Sequence, residues 1–369
     1  MLVSSVGRGG ERAMHVAIGY RWFETAAGFH LERALSASGH AVTYVGLPSA
    51  ARRGYDHGVP LPAVLAALPQ PVDLFLWVDP AGGYFPVGLE DCPVPTACWL
   101  IDVHLGRWRE QAARFFDAVF VAQADHLDRF RQAVGHDRVH WLPLAAAPDV
   151  HRQLDRPRAL DVGFVGNLAL AHRGTARARR LRKVARRFET NDFYRQYTPA
   201  EVGDVYSRSR IVFNTSIAGD VTMRIFEGTA CGALVLTDST ANRLDRLFEI
   251  GEEIVVYRDD DDLLALIAHY LAHDDERNRI ARAGQRRTVG EHLYTHRVRQ
   301  MLEACAASAF RRGAPMRLAD RVARLEARLA VYTHLHMLDA VFDATREAGL
   351  HPVRRVWAAL PCLARRVLM

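Results

Sequence analysis

The 369-residue sequence is almost without lysine: its 48 basic residues include only Lys183, and the rest are arginine. Its five cysteines, Cys92, Cys98, Cys231, Cys305 and Cys362, form no Cys-x-x-Cys pair and no Cys/His cluster at zinc spacing, so they read as reduced, mostly buried thiols. No run of about 18 apolar residues occurs, which leaves no candidate membrane span. The opening residues, MLVSSVGRGGERA, lack the apolar core of a secretory signal; 1–13 therefore read as a disordered leader, and the cytoplasm is the expected compartment. The net charge of +6 comes with no aromatic and basic binding module, which argues against a nucleic-acid partner.

What is present is ordinary globular material. Hydrophobic residues make up 49% and charged residues 24%, enough for two cores of roughly 150 residues each and an appendage. Met14–Gly19 is a short apolar strand, Ala27–Ser38 has a helical pattern, and Ala41–Gly46 is the next strand, a βαβ opening with no G-x-G-x-x-G after its first strand. Val72–Val78, Thr96–Ile101 and Ala118–Val121 are unbroken apolar runs, as strands covered on both faces must be. The stretch 145–158, with Pro148, Pro157 and several charges, reads as a linker. A second alternation begins at Leu160–Val165 and passes through an arginine-rich helix at about 175–188 to strands near Ile211, Leu234 and Ile254.

The expected fold class is α/β: two Rossmann-like, doubly wound domains, 14–150 and 151–307, facing a cleft, with a helical C-terminal extension over 308–369. The aspartates 259–262 precede a helix and read as its cap in preference to a metal site. In the extension, Leu318, Val322, Leu325, Leu329 and Tyr332 form a short heptad-like seam, expected to pack back on the domains rather than zip a homodimer. Beyond Pro352 the chain is a basic amphipathic end, compatible with peripheral contact to an acidic membrane face.

Three places could carry chemistry. Gly166 and Asn167 end the first strand of the second domain, where a missing side chain admits a phosphate, and Arg173 and Arg177 follow closely with positive charge. Arg224 and Glu227 open a short helix before a buried strand; the glutamate can hold ribose hydroxyls and the arginine phosphate, or the two can pair with each other. Asp102 and His104 follow a first-domain strand and would point the same way if strand geometry persisted, offering an acid and an imidazole for catalysis. Glu24 and Asp79 share that edge as weaker candidates.

The runs Pro95–His104, Phe120–Gln123, Trp141–Ala145 and Asp161–Asn167, with Asn214–Ser216, Met223–Glu227 and Ala230–Ala233, resemble glycosyltransferases of the spore-maturation CgeB-like group. That group is similar to group-1, family 4-like glycosyltransferases of the GT-B fold. The resemblance spans about 14–302 and implies a metal-independent, hexosyltransferase-type enzyme with no cofactor. It implies a nucleotide-diphosphate sugar donor on the second domain and an acceptor, whether glycan, protein, lipid or small molecule, on the first. It also implies that Glu227 is the second glutamate of the E-x7-E motif, holding ribose, that Gly166 and Asn167 form the donor-phosphate turn, and that His104 lies near the donor sugar. The first glutamate of the motif would fall at Gly219, with Asp220 one residue along. That departure keeps open a catalytically silent nucleotide-binding protein and an epimerase-like enzyme.

Overall fold

The continuous apolar runs become the inner strands of two parallel sheets. A computed structural model of the protein describes residues 13–56, 58–79, 83–166, 175–238, 240–307 and 320–366. The expected leader lies outside these residues except for Ala13. The chain divides into two units, 1–142 with 298–369, and 143–297.

The first unit runs β1 (His15–Gly19), α1 (Ala27–Ala37), β2 (Ala41–Tyr44), α2 (Leu61–Ala66), β3 (Leu74–Val78), β4 (Thr96–Leu100), α3 (Trp108–Ala113), β5 (Ala118–Val121), α4 (Leu127–Val134) and β6 (Val139–Trp141). Its six strands are parallel in the order β2-β1-β3-β4-β5-β6. Every residue of β3 and β4 is buried, the signature of a sheet sandwiched between helices.

The second unit holds β7 (Leu160–Gly163), α5 (Ala176–Ala185), α6 (Pro199–Arg208), β8 (Ser209–Phe213), α7 (Met223–Ala230), β9 (Leu234–Thr237), α8 (Leu244–Leu247), β10 (Val255–Val256), α9 (Asp260–Ala272) and α10 (Asp274–Glu291). Its named strands are parallel in the order β10-β9-β8-β7. Beyond β7 the sheet gains a parallel bridge from Val162 to Thr190, flanked by the N–H groups of Asp161 and Val162 donating to Glu189 O. The chain therefore leaves β7 through α5 toward one side and returns through α6 to β8 on the other. This reversal makes the carboxyl end of β7 a topological switch point, where open α/β sheets bind ligands.

The aspartate run does cap a helix: Asp259 accepts from the N–H groups of Asp261 and Asp262, and Asp260 pairs with Arg180 and Lys183. After α11 (Tyr294–Ala307) come α12 (Arg321–His334), α13 (Leu338–Glu347) and α14 (Pro352–Arg366), which belong to the first unit. Ala327, Val331, Tyr332, Val341, Ala344, Ala359 and Cys362 enter the same apolar cluster as Phe85, Phe116 and Trp77. The heptad-like seam is split, with Tyr332 inside and Val322 64% exposed, while Leu318 lies outside the described residues. Each large apolar side chain in that cluster contributes roughly 1.5–3 kcal/mol by burial. A chain ending at residue 307 should therefore lose the cooperative unfolding of the first unit and expose apolar surface, read by calorimetry and by dye binding against the full chain.

Candidate functional site

At the switch point, β7 ends and the chain continues as Phe164-Val165-Gly166. Arg224, in the first turn of α7, lies back over this segment with its guanidinium 4.1 Å from the centre of the Phe164 ring. It is pinned there because Nε donates to Val165 O at 2.9 Å and Nη1 to Asn214 Oδ1 at 2.6 Å. Asn214, fully buried at the end of β8, takes a second hydrogen bond on Oδ1 from Thr222 and donates to Thr237. Arg177, in the first turn of α5, approaches the same phenylalanine at 5.4 Å.

Both arginines converge on Gly166. A Cβ placed there would stand 2.6 Å from Arg224 Nη2 and 3.1 Å from Arg177 Nη2, so a side chain at this position would push the ends of the guanidiniums aside. Among the described residues neither makes an ion pair with a carboxylate, and the buried Nε of Arg177 has no hydrogen-bond partner. Burial, followed by repulsion from Arg224, lowers the Arg177 pKa to about 10. A buried and a half-buried cation beside an open backbone at a sheet's switch point have the charge and room to receive a compact anion.

Glu227 sits one turn after Arg224 on α7, yet among the described residues the two do not pair; Glu227 Oε1 instead lies 3.5 Å from His151 Nε2. The tautomer of His151 follows from its other nitrogen. Nδ1 accepts from the Ala147 backbone N–H at 3.1 Å, so in the neutral ring Nε2 carries the proton and faces Glu227. Burial pushes His151 down to about 4, leaving it neutral near pH 7. His151 lies in the stretch that reads as a linker, and nothing in its neighbours marks it as the partner of a residue 76 positions away.

Of the expected site residues, Gly166, Arg224 and Glu227 are brought to this one edge, whereas Asn167 and Arg173 lie outside the described residues. Gly219, where a first glutamate would stand, has φ +75°, a left-handed conformation that disfavours any side chain. Asp220 Oδ1 accepts from the N–H of Ile217 at 2.7 Å and so closes this loop.

The first unit departs from expectation at Asp102 and His104. β4 stops at Leu100 and Asp102, with φ −88° and ψ 44°, leads into a short 3-10 turn at Val103–Leu105, so strand alternation does not align the two side chains. The carboxylate that organises this edge is Asp79, whose Oδ2 accepts from the N–H groups of Ile101 and Asp102 and from Arg109 Nε at 2.5 Å. His104 keeps both ring nitrogens buried without a hydrogen-bond partner. At the carboxyl ends of β1 and β2, a depression of about 450 Å³ is lined by Arg21, Trp22, Leu47, Pro48, Ser49 and Gly83. Glu24 in the same loop is solvent-exposed. Among the described residues no group of three or more His, Cys, Asp or Glu side chains could hold a metal ion.

Residues 152–303, which contain the Gly166, Arg177, Arg224 and Glu227 constellation, match the glycosyl transferase-like family model. No curated protein matches the chain significantly. Among solved structures it is similar to sucrose-phosphate synthase (tll1590) from Thermosynechococcus elongatus, with TM-score 0.56 and 12% identity over 80% of this chain and 98% of that one. Anabaena Alr3699/HepE in complex with UDP-glucose gives TM-score 0.56 and 11% identity over 80% of this chain and all (100%) of that one. The DNA-modifying enzyme β-glucosyltransferase, solved with and without uridine diphosphoglucose, gives TM-score 0.54 and 11% identity over 80% and 100%. The fold is therefore that of the GT-B glycosyltransferases, two α/β units, each built on a parallel sheet, with added helices.

His151 gives the domain a pH signature. Its folded pKa of about 4 lies below the ordinary value of 6.5, so the unfolded chain binds the extra proton and stability falls as pH drops from about 6.5 toward 4. His292, also held near 4 by burial and by Arg297, adds in the same direction. Between pH 7 and 5 each should cost about 2 kcal/mol. Denaturant unfolding at the two pH values should show this loss, and His151→Gln should remove about half of it.

Proposed function

We propose that the protein transfers a sugar from a nucleotide-diphosphate sugar to an acceptor, with the donor's diphosphate held by Arg177, Arg224 and the backbone at Gly166. The observation that carries this reading is the convergence of one buried and one half-buried guanidinium on one glycine, with no carboxylate paired to either among the described residues. In the transfer, the bond between the anomeric carbon and the phosphate oxygen breaks, its electron pair leaves with the nucleoside diphosphate, and an acceptor hydroxyl bonds to the carbon and gives up its proton. Negative charge grows on the departing diphosphate, where fixed guanidiniums stabilise it most. Glu227, its carboxylate facing the Nε2 proton of His151, is assigned to the ribose hydroxyls.

Uridine is the first base to test, because HepE and β-glucosyltransferase were solved with UDP-glucose. The depression around Arg21 and Trp22 is assigned to the acceptor, since an exposed cation and an indole face suit a sugar carrying a negative group. Gly219 and the loop closure by Asp220 favour one rival, a nucleotide-binding protein without turnover.

Thermal unfolding with UDP-, GDP-, ADP- and dTDP-sugars separates these readings. At one hundred times its Kd a bound donor adds about 2.7 kcal/mol to apparent stability. Glu227→Ala should weaken that effect. Arg177→Gln should weaken donor binding by about tenfold or more while leaving the ligand-free protein as stable or slightly more so, because it removes a desolvated, repelled charge. If no nucleotide sugar shifts the transition at millimolar concentration, the donor assignment fails. Binding without transfer to any of a broad acceptor panel would instead establish the silent protein.

His104, whose ring nitrogens have no hydrogen-bond partner, is assigned to the reacting groups. His104→Ala should lower kcat by about 10²–10⁴ with donor affinity unchanged. A variant with full turnover removes His104 from the chemistry.

A further inference from the structure

The C-terminal helix α14 presents its apolar residues on two opposite sides. Ala359 and Cys362 are buried in the core of the first unit, at 0% and 1% exposure. Val353, Val356, Trp357 and Leu360 are 58%, 49%, 69% and 41% exposed. Their spacing of i, i+3, i+4 and i+7 puts all four within about 100° of the helix circumference, on the side away from Ala359 and Cys362. No folding requirement of the first unit explains this outer stripe, because the helix is already anchored through its other face.

We propose that α14 docks the protein onto an anionic lipid surface, with Val353, Val356, Trp357 and Leu360 entering the boundary between headgroups and acyl chains. Charge complementarity identifies the occupant. From His351 to Met369 the sequence carries four arginines, Arg354, Arg355, Arg365 and Arg366, and no aspartate or glutamate. Arg354 is exposed beside the stripe, while Arg355 is tied to Leu350 O through Nε at 2.6 Å. An exposed helix face with an indole at one edge of its apolar stripe and Arg354 beside it matches an interfacial helix. Four side chains fall short of the roughly 800 Å² per partner of a standard protein interface, so a second copy is the weaker occupant. Among the described residues no helix is long and apolar enough to cross a membrane, so the contact is peripheral. Docking here rests on none of the donor-site residues.

The test is flotation of the full chain with vesicles of phosphatidylcholine alone and of phosphatidylcholine mixed with equal phosphatidylglycerol. Binding should occur on the anionic vesicles, weaken with added salt and be much lower on phosphatidylcholine. Trp357→Ser with Leu360→Ser should reduce it by about tenfold or more, and Arg354→Glu by several-fold, with unfolding transitions unchanged. These positions are exposed, so the variants keep the core intact. Failure of the wild-type chain to float at low salt overturns the proposal. So does flotation insensitive to Trp357 and Leu360, or a dimer in sedimentation that the double variant abolishes without any vesicle binding.

Discussion

Two guanidiniums beside one phenylalanine ring repel each other, and the second unit is built to hold them together. Arg224 is fixed by Val165 O and by Asn214, which is fixed in turn by Thr222 and Thr237 at the ends of neighbouring elements. Arg177 arrives from another helix and keeps its Nε unbonded. The bare backbone of Gly166 leaves room for both to approach. Holding two like charges this close costs free energy, which an anion placed between them would offset. β7, α5, β8 and α7 meet where they do at the sheet's reversal, and the charge conflict is placed at that reversal.

The carboxylates obey a different logic. Asp79 and Asp220 spend oxygens on backbone N–H groups that would otherwise be unsatisfied at strand and loop ends. Glu227 faces a neutral imidazole whose tautomer is dictated by a backbone donor on its far side. A neutral donor orients a carboxylate without cancelling its charge, leaving it able to accept further hydrogen bonds. The three acids look alike in sequence, and only their partners separate structural from available ones.

The parallel α/β architecture was legible because inner strands must be apolar throughout and helices must repeat near 3.6 residues, patterns carried by each segment alone. Gly166, Arg224 and Glu227 were legible for a related reason: strand ends and the first turns of helices are local, and open sheets bind at such ends. The expected alignment of Asp102 with His104 fails because strand alternation holds only while the strand lasts, and β4 ends before them. His151 was invisible because its role depends on a contact 76 residues away.

Composition and periodicity by themselves determined the fold class, the capping role of Asp259 and the amphipathic character of the last helix, since these depend on neighbours within a turn or two. Tertiary structure alone decided three things: that Arg177 and Arg224 converge with no carboxylate paired to either among the described residues, that the strand order reverses at β7, and that α12–α14 complete the core of the first unit. Each arises from segments far apart in the chain meeting in space, and charge repulsion, hydrogen-bond direction and burial act only on groups that have met.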